Sequence, residues 1–298
     1  MNTPKLHHYV PQFYLKRFAD EKGRLWIWDK TKDVSFHTRP ASVAAEKHFY
    51  RMLDLAEAGH DPLTMEKQFS DLEGEVSAVT DQWLNWLKDL RPGKKIPLSK
   101  ANREIVSLYV ALQYLRTADT RDILCALSEA KIGGKNLSCE ERTRFHTTLL
   151  WNEEIVHSIA DRIKNSIWVF GRNRTDTPFL TSDNPVAFKT PDNRQWLKVG
   201  ILSRGMYVVF PLSPMVVMYC HERRYWAKLA KLDTCVSPVN FNKGMVEHEN
   251  SGQVFMASRF VISPTNDFRH EREFAKSIGT DLYAPKQNRA TSKSKTSH

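Results

Sequence analysis

Three short segments carry most of the residue types that acid–base or phosphate chemistry needs. The first is HHYVPQFYLKRF, residues 7–18. Adjacent side chains on an extended segment point to opposite faces, so His7 and His8 serve two different surroundings. A neutral imidazole is a general base or acid near pH 7, or a ligand for a divalent metal, while Gln12 is placed to position a substrate. The plain alternative is a buried histidine bonded to backbone. The second segment is TSDNPV, residues 181–186. Ser182, Asp183 and Asn184 before Pro185 form a turn, because Asp and Asn side chains bond their own backbone. A turn between strands often carries active groups, and Asp183 could orient an imidazole, act as a base or hold a metal. The third is ALQYLRTADTR, residues 111–121, a helical run with Gln113, Arg116, Thr117 and Arg121 close together. Two arginines near one helical face grip phosphate through planar forks, or else pair with acids such as Glu66 or Glu73.

Spacing excludes several chemistries. Cys125, Cys139, Cys220 and Cys235 form no CxxC pair, and the other histidines show no HxxxH or HExxH. Marks of a P-loop, a dinucleotide fold or an α/β-hydrolase (GxxxxGK[ST], GxGxxG, GxSxG) are also missing. Mg²⁺ is conceivable, but no carboxylate cluster supports it, so no cofactor and no metal site are expected. The string HH-x-V-P is similar to the first motif of HNH endonucleases, where a histidine before an aliphatic-proline step activates water. Those enzymes continue with a Gly-rich loop, an Asn and a second His, whereas FYLKRF follows here, so the likeness stops after five residues.

The elements around these segments follow from periodicity. Residues 24–38, RLWIWDKTKDVSFHT, alternate with period two about a KTKD turn and predict a hairpin. Met65, Phe69, Leu72, Val76, Val79, Trp83, Trp86 and Leu90 recur at alternating spacings of four and three. They predict a helix of about 26 residues, roughly 39 Å long, stopped by Pro92 and Gly93. A second helix follows Pro97 and Ser99. A third begins at a Ser138–Glu141 capping box and runs to Ile163. After Trp168 the runs WVF, PFLT, PVAF, MYVVF and MVVMYC predict strands, and residues 239–257 return to a helix-compatible pattern before FVIS. The expectation is an α+β fold in one domain, 1–283, with β-rich ends joined in one core. It divides into an N-terminal motif and hairpin (5–60), a helical segment (64–167), a β-rich segment (168–265) and a C-terminal helix (266–283).

The 298 residues are 41% hydrophobic and 26% charged, a globular profile without a membrane-spanning run. The first 20 residues lack a signal-peptide pattern, and the isolated cysteines fit a reducing cytoplasm. The formal net charge is +10, and residues 284–298 contribute four cations without an acid, as expected of a disordered basic tail. The rest still favours a polyanionic partner.

The ordered motifs resemble those of a family of uncharacterised bacterial and fungal proteins, classed as a domain of unknown function. They are HHYVPQFYL at 7–15, LWIWD at 25–29, EKHFY at 46–50, ALQYLRT at 111–117, FLTSDNPV at 179–186, FPLSP at 210–214, VNFN from 239 and RFVIS at 259–263. The resemblance implies convergence of His7, His8, Gln12, Gln113, Arg116, Thr117, Ser182, Asp183, Asn184 and Asn240 on one pocket. Ala118 and Asp119 stand where the family usually has a nearby proline. The leading expectation is a ribonuclease of toxin or phage-defence type, RNA being favoured over DNA. In it, His7, His8, Gln12, Ser182, Asp183 and Asn184 do chemistry, while Gln113, Arg116, Thr117, Arg121 and Asn240 bind substrate. The alternatives are a non-catalytic protein holding nucleic acid, a protein partner or a second copy of itself, and an enzyme on a small nucleotide.

Overall fold

A computed structural model of the protein describes residues 6–278, apart from 48, 52–56, 60, 62, 132–135 and 199–202. The basic tail expected at 284–298 lies outside the described residues. Strand β1 (Leu6–His8) leads through Pro11 into the short helix α1 (Gln12–Lys16). The predicted hairpin follows as β2 (Leu25–Asp29) and β3 (Val34–Thr38). Its turn is closed by Asp29, whose Oδ1 accepts from the Thr31 N–H at 3.0 Å, and by Asp33 in the left-handed region at φ 51°. Strand β4 (Ala45–Lys47) returns to pair with β1, Glu46 opposite His7.

The helical middle starts with α2 (Thr64–Asp89), 26 residues long as its stripe predicts. Met65, Phe69, Val76, Trp83 and Leu87 are buried along it, each such side chain contributing about 1.5–3 kcal/mol. Strand β5 (Ile96–Pro97) precedes α3 (Lys100–Leu115), which Ser99 caps by accepting the Asn102 N–H at 3.0 Å. Then come α4 (Ala118–Lys131), α5 (Cys139–Trp151) and α6 (Glu153–Lys164). The Ser138–Glu141 capping box is present, but the single helix expected to reach Ile163 is two. Asn152 breaks it with ψ 98° and caps α6 through the Ile155 N–H at 3.0 Å.

The β-rich part comprises β6 (Ile167–Asn173), β7 (Thr181–Ser182), β8 (Ala187–Lys189), β9 (Trp196–Leu197), β10 (Tyr207–Ser213), β11 (Val216–His221), β12 (Cys235–Val236) and β13 (Pro238–Phe241). Helix α7 (Lys243–Met256), β14 (Phe260–Ser263) and α8 (Arg269–Ser277) complete it. A six-stranded sheet has the order β13-β6-β11-β10-β8-β9 and is antiparallel except for β13 against β6. Alternate residues face opposite ways. Trp168, Phe170 and Met218 enter the larger core with α2, α3 and α6, while Val169, Val217 and Tyr219 pack with Val246 and Met256 of α7. A second sheet, β3-β2-β14-β7, joins the N-terminal hairpin to the C-terminal strand. The fold is α+β. Among the described residues no helix is long and apolar enough to cross a membrane, and all four cysteines are free.

Gly171 sits in β6 between β11 and β13 where a Cβ would stand 2.8 Å from both the Phe241 ring and Val217 Cγ1. Gly171→Ala is therefore expected to destabilise the protein by about 1–3 kcal/mol, read as a lowered urea midpoint.

Candidate functional site

The first and third segments meet. On β1 the two histidines face opposite ways, with His7 buried and His8 half-buried. His7 Nδ1 accepts the Tyr50 N–H at 2.9 Å, and the two rings stack at 6.0 Å. Tyr50 in turn donates its hydroxyl to the Arg116 carbonyl at 3.1 Å. From α3, Gln113 donates to the Tyr9 carbonyl at 3.0 Å and accepts from Arg116 Nε and Nη2 at 3.0 and 2.7 Å. Arg116 is buried, lies over the Phe69 ring at 5.2 Å and pairs with Glu73 at 2.7 Å. Of the two roles open to Arg116, the ion pair with α2 is the one it fills.

His8 bonds the Ala41 carbonyl through Nε2 at 3.2 Å. A carbonyl only accepts, so Nε2 carries the hydrogen and Nδ1 keeps its lone pair. Burial pushes the imidazole below its ordinary value, against the Ala41 bond and the Glu73 charge, which act the other way. The charge of Glu73 also acts on a residue the sequence reading treated only as an ion-pair partner. Glu66, half-buried one turn into α2, is raised to about 7 by burial and by the nearby Glu73 carboxylate. The signal for it was the i, i+7 spacing of Glu66 and Glu73 beside the apolar stripe. Gln12 stands half-buried at the start of α1.

The second segment is built differently. Ser182, Asp183 and Asn184 are buried, so the turn lies inside the protein rather than at a surface tip. Asp183 Oδ1 accepts the Ser258 N–H at 3.0 Å. Its Oδ2 accepts the Ser258 hydroxyl and the N–H groups of Arg259 and Phe260 at 2.9, 2.8 and 3.0 Å. Burial raises its pKa despite these donors. Ser182 donates to Gln253 Oε1 at 3.0 Å, and Asn184 donates to Asp119 Oδ2 at 2.8 Å. Asp119 also pairs with Lys198 at 2.9 Å, both side chains being buried. No hydrogen bond joins His8 to Asp183, so the expected orienting partnership is not formed.

The other expected substrate-binding residues also have structural partners. Thr117 accepts the Thr120 N–H at 3.2 Å and so caps α4. Arg121 pairs with Glu46 at 3.1 Å and lies over the Phe49 ring at 4.3 Å. Asn240, exposed on β13, accepts from Arg172 Nε at 3.0 Å, and Arg172 Nη1 caps the Leu87 and Leu90 carbonyls at the end of α2.

A further titratable cluster escaped the sequence reading, since its members share no local motif. Lys189 is buried between Trp196 and Tyr207 in register, with Nζ 3.8 Å from the Trp196 ring and in contact with His248 Nε2. Burial lowers Lys189 to about 8 and raises the neighbouring Glu249 to about 7. Among the described residues, no three His, Cys, Asp or Glu side chains are grouped as metal ligands would be.

The model of a family described as "Protein of unknown function (DUF4238)" matches residues 6–267, and the chain belongs to that family. No curated protein and no solved structure matches it.

Asp183→Ala is expected to cost about 3–5 kcal/mol, because three N–H groups and a hydroxyl lose their acceptor in the interior. Asp183→Asn, retaining one acceptor oxygen, is expected to cost less in the same urea titration. A second expectation concerns pH. The folded value of Glu249 lies above its ordinary 4.5, so its contribution to stability is complete below pH 4.5 and is lost as pH rises through about 7. Glu249→Gln should remove that decline from a series of melting curves.

Proposed function

We propose that this DUF4238 protein is a ribonuclease, of the kind that serves as a toxin or in phage defence, and that it works by acid–base catalysis. The observation that carries the reading is that His8 and Glu66 both feel the charge of Glu73, which Arg116 holds at 2.7 Å. Their pKa values are displaced in opposite senses: His8 downward, Glu66 up to about 7. At neutral pH one is ready to take a proton and the other to give one. In RNA, His8 Nδ1 takes the proton of a 2′-hydroxyl as its oxygen attacks the adjacent phosphorus. Glu66 then protonates the departing 5′-oxygen, leaving a 2′,3′-cyclic phosphate and a free 5′-hydroxyl. DNA lacks the attacking hydroxyl and is not a substrate for this step. Arg116 and Gln113 act as positioning residues, fixing Glu73 and the backbone of Tyr9.

A second reading, a non-catalytic nucleic-acid-binding protein, is favoured by the hydrogen-bond saturation of Ser182, Asp183 and Arg116. Cleavage of labelled RNA and DNA, with Mg²⁺ and with EDTA, separates the two. The ribonuclease reading expects RNA cleavage in both conditions, lost by about 100-fold or more in His8→Ala and in Glu66→Gln. It expects an optimum on the acid side of pH 7, with activity declining above about 7 as Glu66 ionises. Intact RNA with folded wild-type protein would leave the binding reading in its place.

A further inference from the structure

An open cleft is lined by Arg162, Arg204, Arg224 and Glu222, which come from three separate places in the chain. Arg162 is in the last turn of α6, Arg204 lies before β10, and Arg224 follows β11. Among the described residues their guanidiniums form no ion pair within 4 Å, unlike Arg116 and Arg121, although the charge of Arg162 does act on Glu222. The one carboxylate in the lining does not neutralise them by contact. Glu222 Oε1 accepts the Arg224 N–H at 3.1 Å and Oε2 the Tyr225 N–H at 2.8 Å, so its oxygens shape the turn that presents those two residues. Next to Arg224 in the chain, Arg223 shares the carboxylate of Asp233 with Arg103. Lys228 and Lys231 continue the exposed basic surface along the short 3₁₀ helix Ala227–Leu232.

An aromatic ring is fixed at the same place. Tyr225 is 51% exposed although it packs against backbone: a Cβ on Gly205 would stand 3.0 Å from its ring. Gly205 has φ 77°, where side chains are strained, and its carbonyl accepts the Trp226 indole N–H at 2.8 Å. Trp226 braces Tyr225 edge-on at 5.3 Å between ring centroids. The ring is therefore held beside Arg204 and Arg224 with one surface open to solvent. An exposed, immobilised ring among unpaired guanidiniums matches what a single-stranded polynucleotide offers, namely a line of phosphates and bases free to stack. In a duplex the bases are already stacked on each other, and the ring has nothing to receive.

We propose that this cleft is a binding site for single-stranded nucleic acid, with Arg162, Arg204 and Arg224 on phosphates and Tyr225 stacked under a base. The choice of RNA as its ligand rests on the ribonuclease reading; the site itself does not. The phosphate contacts make binding weaken as salt rises, by a slope of about 0.7 for each phosphate neutralised on a single strand.

The experiment uses the full chain carrying His8→Ala, so that cleavage does not intrude, and a fluorescent mixed-sequence single-stranded RNA, read by anisotropy over a salt series. Reversing two charges, Arg204→Glu with Arg224→Glu, is expected to raise Kd by about tenfold or more and to flatten the salt slope. Tyr225→Ala is expected to weaken the single strand while leaving an RNA duplex unchanged. Arg174→Glu, an exposed arginine beyond the opposite end of β6, serves as the matched control, and circular dichroism checks that each variant is folded. Equal affinity across the cleft variants and the control would overturn the proposal, as would absence of RNA binding by the parent protein. Duplex bound as tightly as single strand, with Tyr225 irrelevant to both, would overturn the single-strand assignment. Binding lost in the cleft variants without any cleavage by the wild type would fell the ribonuclease reading and leave the cleft standing.

Discussion

The carboxylate of Asp183 gathers four donors from three consecutive residues, Ser258, Arg259 and Phe260, and so fixes where β14 begins. Strand β14 lies between β2 and β7, and the Arg259 guanidinium reaches across to Asp29 at 2.9 Å. One buried anion therefore joins the N-terminal hairpin, the internal turn and the C-terminal strand. Removing a carboxylate from water is costly, and four short hydrogen bonds offset the cost only where they converge in one geometry. That requirement makes the register of this sheet specific. A slip by one residue would take Asp183 away from its donors and turn Val261 and Ile262 to the wrong faces.

The same competition between burial and partners sorts the ionisable groups. Arg116, Arg121 and Asp119 each have an opposite charge at hydrogen-bond distance. His8, Glu66, Lys189 and Glu249 lose solvent without equivalent compensation and shift toward neutrality. Groups of the first kind hold the fold together. Of the second kind, Glu66, Lys189 and Glu249 are moved to between about 7 and about 8, and groups so displaced are ones a reaction can use.

Much of the fold was legible in the sequence because periodicity is a local property. The α2 stripe, the β2–β3 hairpin and the Ser138 capping box need only neighbours along the chain. The break at Asn152 was missed because a helix-forming period continues across it, and a capping asparagine looks like a polar helical residue until its ψ is known. The site was less legible. Sequence left Arg116 and Arg121 open to phosphate or to acids such as Glu73; Arg116 does pair with Glu73 of α2, but the partner of Arg121, Glu46 of β4, is distant in the chain and was not foreseen. Asp119, noted in the sequence only as a departure near the end of a helix, holds Asn184 and Lys198 in the interior. Lys189 and Glu249 carried no local mark, since their behaviour arises from depth and from neighbours distant in sequence.

The pairing of β2 with β14 joins Ile27 to Ile262. A ribosome adds roughly 5–20 residues per second, so the hairpin waits on the order of tens of seconds before its partner strand exists. During that wait one edge of β2 has unmatched amide groups, and Leu25 and Ile27 have no core to enter. A nascent chain in this condition is prone to bind another strand edge, and a chaperone or rapid collapse of the helical middle must shield it. The native join between the two ends thus makes the order of synthesis a constraint on how much protein reaches its folded state.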